Sequence, residues 1–130
     1  MNYTIAVLGS PYSSTAHIHA LKFCTAAIDA GNKITRVFFY HDGVYVALNS
    51  RVPPQDELDI TKAWFELNNS YNVELDVCIA NALKRGIIDP TEAERYEVPS
   101  TTLAPGFELV GLGQLIDAMI NSDRYVEFPA

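Results

Sequence analysis

Residues 73–86 read Val-Glu-Leu-Asp-Val-Cys-Ile-Ala-Asn-Ala-Leu-Lys-Arg-Gly, and this stretch decides the fold. Apolar and polar residues alternate up to Cys78 as in a strand, and the run after it is typical of a helix that Gly86 ends. A thiol at such a junction lies at the carboxyl edge of an α/β sheet, where chemistry is favoured. Free N–H groups and the helix dipole there stabilise a thiolate. Cys78 is therefore a candidate nucleophile or sulfur carrier, although free cysteines are commonly small core residues.

The same order of strand and helix recurs along the chain. We predict a single domain over residues 1–130, an α/β fold with three α/β/α layers around a mainly parallel five-stranded sheet. Apolar runs place the strands at residues 3–8, 34–40, 73–77, 107–110 and 124–128. Cap and stop residues place helices at about 14–30, 44–49, 56–71, 79–85, 89–94 and 114–121.

Composition and charge exclude several functional classes. The formal net charge is −7 at pH 7 and no basic run occurs, so we expect no direct binding of nucleic acid. We also expect no membrane association, because no apolar stretch reaches spanning length and the amino terminus lacks a signal-peptide pattern. Two widely separated cysteines without Cys/His ligand spacing indicate free thiols in the cytoplasm, with no metal and no cofactor.

Other reactive side chains are interpreted by their position. Cys24 shares one face of the first helix with apolar residues, which favours core packing. His41 and Asp42 follow the second strand and could form an acid/base pair that faces Cys78, with Tyr40 as a further neighbour. The alternative, which we favour, is a turn that Asp42 and the following glycine shape. Arg85 lies two helical turns after Cys78, roughly 10 Å along the axis, so it is interpreted as a helix-end charge.

The loop at residues 9–14, Gly-Ser-Pro-Tyr-Ser-Ser, follows the first strand, where flavodoxin-like folds often hold phosphate. It lacks the lysine of a P-loop and the spacing of a dinucleotide-binding loop. A loop shaped by Gly9 and Pro11 is the favoured interpretation. A small nucleotide- or flavin-binding domain remains an alternative.

Three blocks of sequence together resemble the DsrE/TusD family of intracellular sulfur-relay proteins. They are Phe-Phe-Tyr-His-Asp-Gly-Val-Tyr at 38–45, Val-Cys-Ile-Ala-Asn-Ala-Leu-Lys-Arg-Gly-Ile-Ile-Asp at 77–89, and Gly-Leu-Gly-Gln-Leu at 111–115. Shorter matches at 53–56, 63–64 and 92–93 extend the resemblance over nearly the whole chain. It implies a DsrE-like domain in which Cys78 corresponds to the sulfur-carrying cysteine of the family.

The resemblance further implies a sulfurtransferase that carries sulfane sulfur on Cys78 as a persulfide. The donor would be a TusA-like carrier and the acceptor a TusE/DsrC-like protein. Two related small subunits, TusB/TusC-like or DsrH/DsrF-like, would complete a heterohexamer. We expect the sulfur to reach 2-thiouridine at the tRNA wobble position; the alternatives are a DsrE-type role in dissimilatory sulfur oxidation and a non-catalytic scaffold subunit of the same assembly.

Overall fold

The computed structural model describes residues 1–130 and contains a five-stranded sheet in which every pairing is parallel. The strand order is β4-β3-β2-β1-β5. The strands lie close to the predicted positions: β1 Asn2–Val7, β2 Lys33–Phe39, β3 Glu74–Cys78, β4 Phe107–Val110 and β5 Arg124–Phe128.

Several helix boundaries differ from the predicted ones for local reasons. The short helix expected at 44–49 is a 3₁₀ helix that already begins at His41. The helix expected from residue 56 begins at Ile60, because the Asp59 side chain caps it by accepting a hydrogen bond from the amide of Lys62. The helices are α1 Ala16–Asp29, α2 Ile60–Tyr71, α3 Ile79–Leu83, α4 Pro90–Arg95 and α5 Leu112–Asn121. None of them is long and apolar enough to cross a membrane.

The connections divide the helices between the two faces of the sheet. Strands β1 to β4 lie side by side in sequence order, so the sheet grows in one direction along this part of the chain. Right-handed crossovers between them therefore place α1 to α4 on one face of the sheet. The chain then returns to place β5 beside β1, which puts α5 on the opposite face. Thr4 in β1 donates a hydrogen bond to the carbonyl of Ala118 in α5. The predicted three-layer architecture is therefore confirmed.

A buried ion pair lies beneath α5. Arg36 in β2 donates a hydrogen bond to Asp76 in β3 and a second one, of 3.1 Å, to the side chain of Gln114 in α5. Burial raises the pKa of Asp76 to about 6, and the positive charge of Arg36 opposes part of that rise. These polar contacts tie α5 to the sheet.

An aromatic cluster on the other face holds a fully buried histidine. The indole Nε1 of Trp64 donates a 3.0 Å hydrogen bond to Nδ1 of His17, and the imidazole stacks on Phe39 with ring centroids 5.5 Å apart. Burial lowers the pKa of His17 to about 3, so the ring is neutral in the folded protein at neutral pH.

The His17 pKa predicts a loss of stability in acid. An unfolded histidine titrates near pH 6.5, so the unfolded chain binds the extra proton between about pH 6.5 and 3. The free energy of unfolding should fall as pH decreases through this range, by up to about 1.4 kcal/mol per pH unit from this group. Urea denaturation at several pH values measures the slope.

The substitution His17→Gln should remove this contribution, and His19→Gln at an exposed position should retain it. Asp76 titrates in all three proteins, so its opposite contribution cancels in the comparison. Equal slopes in wild type and His17→Gln would contradict the assignment.

Gly43 lets the 3₁₀ helix lie against the end of β1. A Cβ atom at this position would stand 2.2 Å from the carbonyl oxygen of Val7. The Gly43 amide donates to the carbonyls of Tyr40 at 2.9 Å and Leu8 at 3.2 Å. The glycine is therefore required by a close approach between two segments of backbone.

We expect Gly43→Ala to lower the free energy of unfolding by about 3 kcal/mol, because the methyl group overlaps a backbone oxygen that has no room to move. Gly113→Ala in α5 is the matched control, since no atom lies within 4 Å of the added carbon. It should be neutral or stabilise by up to about 1 kcal/mol. Urea denaturation midpoints compare the two, and similar midpoints would show that the close approach does not matter.

Candidate functional site

Cys78 is the last residue of β3 and directly precedes α3. It pairs in register with Val110, the last residue of β4, so both strands end at the same edge of the sheet. The Nδ2 group of Asn81 donates a hydrogen bond to Sγ of Cys78, and the two atoms are 3.1 Å apart. The predicted position of the thiol at the strand-to-helix junction is thus observed, with one polar partner on the sulfur.

Two features of the junction differ from our expectations. Cys78 is only 2% exposed, whereas the nucleophile or sulfur carrier proposed from the sequence has to be reached by a partner. The helix after it has five residues and ends at Leu83, so its dipole is smaller than that of the seven-residue helix expected. A reaction at Cys78 therefore requires local opening of the segments that cover the sulfur.

Arg85 lies nearer to this site than the sequence suggested. Because α3 ends at Leu83, the Arg85 side chain turns back and donates a 3.1 Å hydrogen bond from Nη1 to the carbonyl of Asn81. Its Nε donates to Oδ1 of Asp42 at 3.0 Å. The guanidinium carbon also lies 5.9 Å from the centre of the Tyr45 ring. Arg85 therefore joins α3 to the 3₁₀ helix and is more than an isolated helix-end charge.

The residues expected as possible neighbours of Cys78 form their side-chain contacts with other groups. Asp42 pairs with Arg85, whereas the acid/base pair considered above would need Asp42 to pair with His41. Hydrogen bonds connect Asp42 to the Cys78 sulfur only through Arg85 and Asn81. The rings of Tyr40 and His41 pack edge to face, with centroids 4.4 Å apart. Neither ring forms a hydrogen bond with Cys78. His41 is exposed and has a left-handed backbone with φ of 48°.

Cys24 packs in the core of the face covered by α1, as predicted. It is fully buried, and burial raises the pKa of its thiol to about 12. A thiol in this environment stays protonated and unreactive at neutral pH.

The loop after β1 is held by internal contacts and by Tyr12, whose hydroxyl donates a hydrogen bond to the carbonyl of Leu58. A Cβ atom on Gly9 would lie 2.3 Å from Oγ of Ser14 and 2.6 Å from Cβ of Ala16, so glycine is favoured there. The Ser14 hydroxyl donates to the carbonyl of Ser10 and accepts from the amide of Ala16. These contacts account for Gly9 and Ser14 without a bound phosphate.

A groove of about 640 Å³ runs along α3 and α4 and begins at Ile79, the residue after Cys78. Its lining is mainly apolar and includes Leu83, Ile88 and Tyr96. The carboxylate of Glu92 lines it too, with Oε1 paired to Arg95 at 3.1 Å and Oε2 without a partner. The lining of this groove therefore starts at the residue that follows the Cys78 thiol in the sequence.

Asn81 is the residue that inspection of the sequence missed. Residues three positions apart on a helix share one face, so its distance from Cys78 was a usable signal. No group of three or more histidine, cysteine or acidic side chains lies close enough together to hold a metal ion.

The sequence and the fold both match known proteins. A model of the DsrE/DsrF-like family matches residues 1–128. Sulfurtransferase TusD of Salmonella dublin is 46% identical over 128 residues, which cover 98% of this chain and all of that protein, and TusD of Salmonella typhi is 45% identical over the same span.

Among solved structures, the ychN protein from E. coli has a TM-score of 0.76 at 21% identity and covers 98% of this chain and all of its own. A protein of unknown function from Methanobacterium thermoautotrophicum has a TM-score of 0.65 at 15% identity, with 97% of each chain covered. At these identities the structures support the fold alone. From the family match and the full-length similarity to TusD, the chain belongs to the DsrE/DsrF-like family and is a sulfurtransferase of the sulfur-relay type.

Proposed function

We propose that this protein carries sulfane sulfur as a persulfide on Cys78 and passes it to a partner protein. The observation that carries the proposal is a thiol at the carboxyl edge of the sheet whose sulfur accepts a hydrogen bond from Asn81. The full-length similarity to sulfurtransferase TusD supports the activity. The second cysteine, Cys24, is excluded because burial raises the pKa of its thiol to about 12 and no side chain donates a hydrogen bond to its sulfur.

The transfer requires no metal, organic cofactor or external oxidant. The Cys78 thiolate attacks the outer sulfur of a persulfide on the donor. A new sulfur–sulfur bond forms on Cys78, the donor's sulfur–sulfur bond breaks, and the donor cysteine leaves as a thiolate. Unloading is the same step in reverse: an acceptor thiolate takes the outer sulfur, and the Cys78 sulfur becomes the leaving thiolate.

Access to the sulfur requires that the segments covering it move while Asn81 keeps its contact to Sγ. The groove along α3 and α4 offers a partner an apolar surface that begins at the residue after Cys78. A partner that binds there can therefore stabilise the open arrangement as it delivers or removes sulfur.

We assign the relay to the pathway that forms 2-thiouridine at the tRNA wobble position, because the similar sulfurtransferases are TusD proteins. The donor is then a TusA-like carrier, the acceptor a TusE-like protein, and the compartment the cytoplasm. With a net charge of −7, the chain itself meets proteins rather than tRNA.

Assembly with two related subunits is supported by the outer surface of α5. Four apolar side chains of α5, spaced four, three and one residues apart, form a stripe. No part of this chain covers that stripe. Exposed apolar stripes of this kind mark contacts between proteins. The residues are Leu112, Ile116, Met119 and Ile120, which are 42–76% exposed.

The test is to load the protein from a cysteine desulfurase and a TusA-like carrier and to measure intact masses without reductant. Wild type and Cys24→Ala should gain the mass of one sulfur atom, because Cys78 is intact in both. Cys78→Ser should gain nothing. A sulfur adduct that persists in Cys78→Ser would refute the assignment of the carrier residue.

The burial of Cys78 favours one second candidate, a scaffold subunit that carries no sulfur itself. The same loading experiment separates the two, when it is performed on the protein together with its two related subunits. A scaffold would leave Cys78 unmodified, and iodoacetamide would label it no faster than the buried Cys24.

A further inference from the structure

We propose that Asn81 is a catalytic residue that stabilises negative charge on the Cys78 sulfur, and that Arg85 and Asp42 position it. This inference rests on the proposed persulfide transfer at Cys78. It gives Asn81 and Arg85 roles at the sulfur, and it gives Asp42 a positioning role in place of the acid/base role considered above.

The geometry of Asn81 suits this role. Its side chain is buried with only 8% of the residue exposed, and its Nδ2 group lies 3.1 Å from Sγ, well within hydrogen-bond distance for sulfur. An N–H group aimed at a sulfur favours the anionic form over the neutral thiol. Inside the protein such a bond is stronger than in water, because water does not compete for the donor.

Both half-reactions place negative charge on the same atom. The Cys78 sulfur begins loading as a thiolate and ends unloading as a thiolate. A donor that is already in place at Sγ therefore lowers the barrier in both directions, as the donors of an oxyanion hole do for oxygen. The amide does not itself transfer a proton.

Arg85 fixes the backbone that carries Asn81. Its Nη1 donates to the Asn81 carbonyl at 3.1 Å, while Nε is held by Asp42 at 3.0 Å and the guanidinium lies over the Tyr45 ring. The planar guanidinium makes both hydrogen bonds at once, which the single ammonium group of lysine does not reproduce. Arg85 and Asp42 act on the sulfur through Asn81 and do not contact it.

The first experiment measures the rate of Cys78 alkylation by iodoacetamide against pH, followed by peptide mass so that Cys24 does not contribute. Opening of the segments that cover Cys78 multiplies the rate at every pH and leaves the midpoint of the pH profile unchanged. Asn81→Leu should raise the midpoint of the pH profile of alkylation. It should also slow alkylation at pH 7 by about threefold to tenfold, which corresponds to the free energy of one hydrogen bond. Asn81→Asp should slow it further, because a carboxylate repels the thiolate.

Asn68→Leu is the matched structural control. Its Nδ2 group donates a 2.9 Å hydrogen bond to the carbonyl of Val73, away from the site, so this variant should lose stability without a change of midpoint. Titratable groups on the surrounding elements, Tyr40, His41, Asp42 and Asp76, are present in every variant compared here. If both Asn81 variants keep the wild-type midpoint, the role of Asn81 is overturned.

The second experiment tests positioning with Arg85→Lys, which keeps the positive charge and loses the two simultaneous hydrogen bonds. We expect its midpoint to move in the same direction as in Asn81→Leu. A wild-type profile for Arg85→Lys would show that the charge alone matters and would reject the positioning role.

Sulfur loading of the same variants separates this inference from the proposed function. If wild type loads sulfur on Cys78 and the Asn81 variants load and unload at the wild-type rate, the role of Asn81 fails while the relay stands. If wild type does not load, the relay itself fails, whatever the alkylation profiles show.

Discussion

The parallel alignment of β2, β3 and β4 is the constraint on which the site depends. Phe39 pairs with Val77, and Cys78 pairs with Val110, so all three strands end at one edge of the sheet. The segments that leave these ends must then pack against one another. The 3₁₀ helix after β2 meets α3 after β3, and this contact brings Asp42 and Arg85 together although 43 positions separate them in the sequence.

Close backbone packing positions the 3₁₀ helix at that edge. The 3₁₀ helix can approach the end of β1 only because residue 43 is a glycine, whose missing Cβ leaves room for the Val7 carbonyl. On the same side of the sheet, His17 and Trp64 fill the space beneath α1 and α2 with a neutral hydrogen-bonded pair. That hydrogen bond limits the free-energy cost of burying the polar imidazole, and desolvation keeps the imidazole neutral.

Burial of the thiol is consistent with a relay in which sulfur must not be transferred to unrelated thiols. A persulfide is a reactive group, and a sulfur that is 2% exposed reacts only when the covering segments open. In the closed arrangement the Asn81 amide contacts the sulfur, and Arg85 donates to the Asn81 carbonyl.

Much of the fold followed from the sequence by itself, because apolar periodicity and strand–helix alternation leave a parallel three-layer sheet as the simple solution. The junction at Cys78 was likewise evident, since strand and helix patterns meet at that residue. The end of α3 and the start of the 3₁₀ helix were not, because packing between segments sets them more than local propensity does. Only the tertiary structure decided that the thiol is covered, that Asn81 contacts it, and that Arg85 binds Asp42 rather than solvent. The Arg85–Asp42 contact joins segments that follow different strands, and its distance depends on sheet register and side-chain packing that no local pattern encodes.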